Sequence, residues 1–259
     1  MDFKILISTV DDAFLERKYH PNCSCIIINQ LIKLNKSKYN LENVFSFKEK
    51  GLSRSRNRAL ELCHCDIALL GDDDVTYIDN IEEVIKKAFK ENPDADIITF
   101  QATTPTGKLF KNNYKNYPFV HNTRSIMRVS SIEIAFRVAS VKRVGLKFDE
   151  DFGLGSRFPT GEEVIFLHDA IKRGLKAIYV PTPIVSHPKE SSGAELSNPK
   201  LLKAKGALFY KLFRKEAHLV SLLFTLKKYK KSNYSWLHFY KLMLRGINDY
   251  KQSLVNNTH

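Results

Sequence analysis

Short, almost wholly apolar runs recur along the chain, separated by stretches with helical periodicity. Residues 4–10 (KILISTV), 24–29 (SCIIIN), 66–70 (DIALL), 96–100 (DIITF) and 177–181 (AIYVP) each read as a buried strand, with a shorter one over 41–47. Between them, 53–62 is helical through Ala59, Leu60 and Leu62. Residues 80–91 form an amphipathic helix with Ile81, Val84, Ile85 and Phe89 on one face, and 161–174 form a helix that ends at a glycine. A further helix start is read at 14–18. Such alternation predicts an α/β fold, a mixed and mostly parallel sheet flanked by helices. Residues 101–131 are polar and turn-rich, 131–144 mix strand signals with a helix from 141, and Gly153, Gly155 and Pro159 make 148–160 a loop.

The pattern changes after a linker at 189–199 (KESSGAELSNP). Leu201, Leu208, Leu212, Leu219 and Leu223 recur at helical spacing among Lys203, Lys211 and Arg214, and a second helix is expected over 235–250. Two units are therefore expected, an α/β domain over 1–195 and a basic amphipathic helical extension over 196–259.

Charge divides the same way. The chain carries 41 Lys+Arg against 28 Asp+Glu, a formal +13. Residues 200–259 hold 13 of those cations against only Glu216 and Asp249, net +11, which leaves the preceding 199 residues at +2. A basic excess implies an anionic partner: nucleic acid, a membrane surface or phosphorylated small molecules. No apolar run approaches the roughly 20 residues a bilayer span needs. The chain enters its first strand without a basic and apolar leader, so a cytoplasmic, reducing location and four free thiols are expected. Cys23/Cys25 and Cys63/Cys65 are C-x-C pairs, not the C-x₂₋₄-C spacing of zinc sites.

Four local features carry chemistry. Asp72, Asp73 and Asp74 follow a strand directly, where like charges repel unless a cation joins them. They suit a divalent metal or, equally, a solvated turn. Gly51-Leu52-Ser53-Arg54-Ser55-Arg56-Asn57-Arg58 places serines and arginines at a helix start, a cradle for a diphosphate or simply a serine N-cap with solvated arginines. Thr160-Gly161-Glu162-Glu163 offers a general base for a hydroxyl nucleophile, though Thr160 and Glu163 also fit a capping box. His187, between a strand and Pro188, is a metal ligand or a surface histidine.

In this order, GLSRSRNRAL, DIALLGDDDV, FGLG, GEEVIFLHDAIKRG and VSHP, the chain resembles a family-2 glycosyltransferase of the GT-A (Rossmann-like) fold and of the bacterial polysaccharide-biosynthesis type, over roughly residues 3–190. The resemblance implies that Thr9 lines the base pocket and that Asn29 and Gln30 stand where the family holds an acidic residue against the nucleotide. It implies donor contacts from Ser53, Arg56, Asn57, Asp72 and Asp73. Asp74, with Asp72 and His187, would hold Mn²⁺ or Mg²⁺. Glu163, or its neighbour Glu162, would be the catalytic base; the family more often has Asp at the second position of this pair. The implied reaction is inverting transfer from a nucleotide-sugar, foremost a UDP-sugar, to a hydroxyl of a glycan or lipid-linked glycan.

Two rivals remain at this level. A nucleotidyltransferase would show a Gly-rich loop after the first strand, where this chain has Ser8-Thr9-Val10-Asp11-Asp12. A basic nucleic-acid or membrane binder would use the lysines and aromatics of the tail (Tyr229, Tyr234, Trp236, Tyr240). Concentration of the charge in the tail disfavours nucleic acid as a partner of the whole molecule. Two expectations follow for the tail: it docks on an anionic membrane, making the protein peripheral on the inner face of the plasma membrane, or its apolar face packs on the body of the protein.

Overall fold

The computed structural model describes residues 1–17, 21–188 and 196–256. Most of the expected linker, the 195/196 boundary and Lys18 of the expected early helix lie outside those residues.

The elements in chain order begin with β1 (Phe3–Val10), β2 (Cys25–Gln30), β3 (Val44–Phe47), α1 (Leu52–Leu62), β4 (Ile67–Asp72), β5 (Thr76–Tyr77) and α2 (Ile81–Glu91). Next come β6 (Ile97–Thr103), β7 (Phe119–Val120), α3 (Thr123–Ile126), β8 (Ile134–Arg137), α4 (Val138–Arg143), α5 (Glu162–Lys172) and β9 (Ala177–Ser186). Three longer helices close the chain: α6 (Pro199–Phe213), α7 (Ala217–Lys228) and α8 (Trp236–Asn256).

The strands form one sheet in the order β3-β2-β1-β4-β8-β6-β9-β5, with β7 also on β9. β1 to β4 run parallel, β8 is antiparallel to both its neighbours, and β6 pairs β9 in parallel. The mixed, mostly parallel α/β sheet expected from the sequence is therefore present. Side-chain alternation places the core on both faces. Phe3, Ile5 and Ile7 of β1 join Ile67 and Leu69 of β4 and Ile85 and Phe89 of α2. Leu6 and Leu70 point the other way, toward α1, α5, α6 and α8.

Several boundaries moved for identifiable reasons. Residues 14–17 are a turn, not a helix: Asp11 and Asp12 sit at φ 48° and 66°. Asp11 accepts the amides of Ile32, Lys33 and Leu34, and Asp12 accepts Lys38 N–H and the Ser37 hydroxyl, so both acids pin the loop after β2. β8 and α4 replace the late helix start, α4 beginning at Val138. β9 runs on through Pro181 and Pro183 because its register against β6 shifts near Pro183, where a missing amide costs no ladder bond.

The basic tail shares the body's core. Leu202 and Leu208 of α6 and Phe239 and Tyr250 of α8 pack in one cluster with Phe152, Phe158 and Val164. α6 and α8 cross so closely that a Cβ at Gly206 would lie 2.0 Å from the Met243 carbonyl oxygen, and one at Gly246 would lie 1.9 Å from that of Lys203. Backbone cannot yield as a side-chain tip can. Gly246→Ala is expected to cost about 1–3 kcal/mol, read as a lower denaturation midpoint.

Candidate active site

β1, β2 and β4 end side by side: Ser8 lies opposite Asp72, Thr9 opposite Asn29 and Val10 opposite Gln30. The connection from β1 leads to β2 on one side, while β4 flanks β1 on the other. This reversal at the carboxyl ends of parallel strands opens a crevice. A cavity of about 690 Å³ lies there, lined by Asp72, Asp73, Asp74, Glu162, Glu163, His187 and Lys205 among others. Gly71 lets the acidic turn form, since a Cβ at that position would meet the Tyr77 hydroxyl at 2.5 Å and Ile5 at 2.8 Å.

The three aspartates have different surroundings. Asp72 accepts from Arg56 Nη2 at 2.8 Å and from the Ser131 hydroxyl at 3.3 Å, so both its oxygens already have protein partners. Asp73 accepts from the Thr9 hydroxyl at 2.7 Å, and burial, with Asp74 and Asp72 nearby, pushes its carboxyl up despite that bond. Asp74 is exposed and faces His187, whose Nε2 lies 3.5 Å from Oδ2. The His187 ring packs edge-on against Phe110 at 5.4 Å between centroids, which limits its orientation.

Arg56 is fully buried, and its fork is divided between two carboxylates: Nη2 to Asp72 and Nη1 to Glu162, each at 2.8 Å. Its carbon-centred charge lies 5.6 Å from the Phe148 ring. Burial alone would weaken the cation, but Asp72, Glu162 and Glu163 more than offset it. Arg56 thus ties the strand end to the helix that carries the acidic pair and does not line the cavity. Asn57 donates to the Phe148 carbonyl at 3.0 Å and accepts the Phe148 amide at 2.8 Å, holding the chain ahead of the glycine loop. Ser53 donates to the Phe152 carbonyl at 2.6 Å. Helix α1 is capped by Gly51 at φ 129°, with no side-chain cap, so the serine N-cap expected from the sequence does not form.

The capping box at Thr160 is absent too. The N-cap of α5 is Gly161 at φ 97°, again without a side-chain cap, so Glu163 is not needed by the helix end. Leu208 of α6 sits over this glycine, 2.9 Å from where a Cβ would stand. Glu162 is buried against Arg56. Glu163 accepts no side-chain hydrogen bond among the described residues. Burial, with Glu162 beside it, pushes its carboxyl up from 4.5 to about 8.

Asn29 bonds Asp12 through its side chain at 2.6 Å and lies outside the cavity. Gln30 lines the cavity, and its Oε1 accepts the Gly51 amide at 2.7 Å. Of the donor residues expected from the sequence, Gln30, Asp72 and Asp73 reach the cavity wall, whereas Thr9, Asn29, Ser53, Arg56 and Asn57 stand behind it.

Nothing in the sequence singles out Lys205. It projects from α6 into the cavity wall without an ion-pair partner among the described residues. Burial pulls its ammonium below the usual lysine range, partly offset by Glu163. One lysine among 13 tail cations carries no distinguishing mark; only the docking of α6 over Gly161 brings it here. Lys50 and Arg128 also line the cavity without ion-pair partners among the described residues. The four cysteines are free thiols.

Among the described residues no cluster of three or more His, Cys, Asp or Glu side chains could enclose a metal. The Asp74–His187 pair still fits a divalent ion, because Mg²⁺ and Mn²⁺ take few protein ligands when substrate phosphates fill the remaining positions.

No family model and no curated protein matches the sequence. Solved structures do match in shape. Against S. aureus TarS 1–349 the TM-score is 0.57 at 12% identity, covering 96% of this chain and 71% of that one. Against its complex with UDP the TM-score is 0.56 at 13% identity, covering 88% and 75%. Against its complex with UDP-GlcNAc it is 0.59 at 12% identity, covering 96% and 89%. Likeness over nearly the whole chain at such low identity is a statement about architecture, and that architecture is a GT-A-like α/β fold.

Proposed function

We propose that the protein is a metal-dependent, inverting glycosyltransferase that moves a sugar from a UDP-sugar to a hydroxyl of a glycan or lipid-linked glycan. The observation that carries this reading is one cavity at the sheet's switch point, holding the Asp74–His187 pair and a proton-retaining Glu163 that accepts no side-chain hydrogen bond among the described residues. TarS, whose complexes with UDP and UDP-GlcNAc share this fold, supports the donor class.

Asp74 and His187 would hold Mn²⁺ or Mg²⁺, which when bound offsets charge on a diphosphate leaving group. Lys50, Arg128 and Lys205 supply the cavity's uncommitted positive charge for the same anion. Arg56, fully neutralised by Asp72 and Glu162, acts as a strut. Glu163 takes the proton from the acceptor hydroxyl as that oxygen attacks the anomeric carbon. Glu162, ion-paired to Arg56, is the poorer base. Double displacement would need a carboxylate nucleophile on the opposite face of the sugar from the acid/base group. Glu163 alone requires only single displacement, which inverts the anomeric centre.

A panel of nucleotide-sugars with Mn²⁺ or Mg²⁺, scored for nucleotide release, tests the assignment. Asp74→Ala is expected to reduce turnover by at least about a hundredfold and to abolish its response to added metal. Wild-type turnover in Asp74→Ala would remove the metal-site assignment.

A further inference from the structure

α7 is apolar on two faces: Val220 and Phe224 pack on the core, Phe224 against Phe209 and Phe239, while a second apolar face stays in solvent. Between them its fully buried positions are Ala217, Ser221 and Thr225, small or hydroxyl-bearing and one turn apart. Thr225 donates to the Ser221 carbonyl at 2.8 Å and lies 3.6 Å from the Met243 sulfur of α8. The Ser221 hydroxyl is buried without a hydrogen-bond partner among the described residues. The leucines face outward: Leu219, Leu223 and Leu226 are 58%, 58% and 55% exposed. Their i, i+4, i+7 spacing makes one continuous stripe. The core contacts of Val220 and Phe224 leave this leucine stripe without a partner among the described residues.

The stripe is bordered by charge. Lys227, Lys228, Lys230 and Lys231 end α7 and the turn after it, and none forms an ion pair among the described residues. Burial and the neighbouring Lys231 and Lys227 pull the Lys228 ammonium down, so the cluster lacks a counter-charge. Glu216 and Asp249 are the only acids from residue 200 onward. Trp236 and Leu237, 48% and 47% exposed, then open α8. By contrast, the apolar faces of α6 and α8 are spent in the core.

We propose that α7, with the lysine turn and Trp236, is a docking surface for an anionic lipid bilayer, with the helix lying in the headgroup region. An apolar stripe with a basic border and a tryptophan is what an interfacial helix requires. No described helix is long and apolar enough to cross a membrane, so the contact is with its surface. Charge selects the occupant. A second copy would set one lysine cluster against another. A nucleic acid would meet the lysines and leave three leucines in water. Of these three, the anionic bilayer alone satisfies both halves. Placement of the site near a lipid-linked acceptor would follow, and that consequence rests on the transferase reading; lipid binding itself does not.

The experiment is co-sedimentation of the full chain with phosphatidylcholine vesicles, with and without phosphatidylglycerol. Retention on anionic vesicles is expected to exceed that on neutral ones by about tenfold and to fall with salt. Leu223→Asp is expected to lower it by about tenfold, and the double variant Lys227→Glu/Lys230→Glu by a similar factor, both with wild-type thermal melts because these positions are exposed. Equal retention on both vesicle types, or unchanged retention of Leu223→Asp, overturns the proposal. So does a dimer by light scattering that Leu223→Asp dissolves while lipid binds neither form. A salt-sensitive shift of single-stranded oligonucleotide without vesicle retention also overturns it. Donor turnover, assayed without lipid, separately tests the transferase reading.

Discussion

Glu163→Gln is expected to reduce sugar transfer by about a hundred- to ten-thousandfold while leaving nucleotide binding in place. The amide keeps the shape and size of the side chain but cannot accept the acceptor's proton. Because burial and Glu162 push the Glu163 carboxyl up to about 8, the base form is the minor one at neutral pH. Wild-type turnover should therefore rise with pH and level off above that value. Lys205 favours the ionised form, so Lys205→Met moves the rising limb to higher pH. A pH–rate profile unmoved in Lys205→Met would separate that lysine from the base. Stability carries the opposite sign. A carboxyl whose folded pKa lies above its ordinary 4.5 favours folding in its neutral form, and that contribution is lost as pH rises through about 8. Glu163→Gln is thus expected to melt no lower than wild type at alkaline pH, a trade of stability against activity. Wild-type transfer by Glu163→Gln would move the base elsewhere.

Arg56→Met carries the largest expected stability loss, about 3–5 kcal/mol, read as a lower denaturation midpoint. The fully buried guanidinium neutralises Asp72 and Glu162, and its removal leaves Glu162, 8% exposed, as an uncompensated charge. Activity should fall as well, because Arg56 links the acidic turn after β4 to the start of α5. The companion double variant Arg56→Met/Glu162→Gln removes both charges of the buried pair and should recover part of the lost stability. No recovery would mean that Arg56 acts through its packing on Phe148 rather than through charge.

Much of this was legible in the chain. Continuous apolar runs and 3.6-residue helical periodicity marked the strands and the flanking helices, since burial on one face or two is written in side-chain order. Acidic residues directly after an apolar strand pointed to the crevice, because parallel strands present ligands at their carboxyl ends, though by themselves they read equally as a solvated turn. Local rules failed at both helix starts. Ser53 and Thr160 look like caps in sequence, yet Gly51 and Gly161 at positive φ begin α1 and α5 instead. The serine is then free to hold the Phe152 carbonyl, and Glu163 is free of a capping duty.

The sequence by itself determined which elements form, where charge accumulates and which carboxylates follow which strand or precede which helix. It could not say which charges neutralise one another. Residues 56, 72 and 162 are far apart in the chain, and only packing places one guanidinium between two carboxylates at 2.8 Å. The tail's charge was evident from composition; its division was not. Gly206 and Gly246 let α6 and α8 touch backbone to backbone, which brings Lys205 to the cavity and leaves the leucines of α7 outside. The physical reason is common to both. Helical periodicity fixes which residues share a face, but the direction that face takes depends on which neighbour approaches most closely, and that is a property of the assembled core.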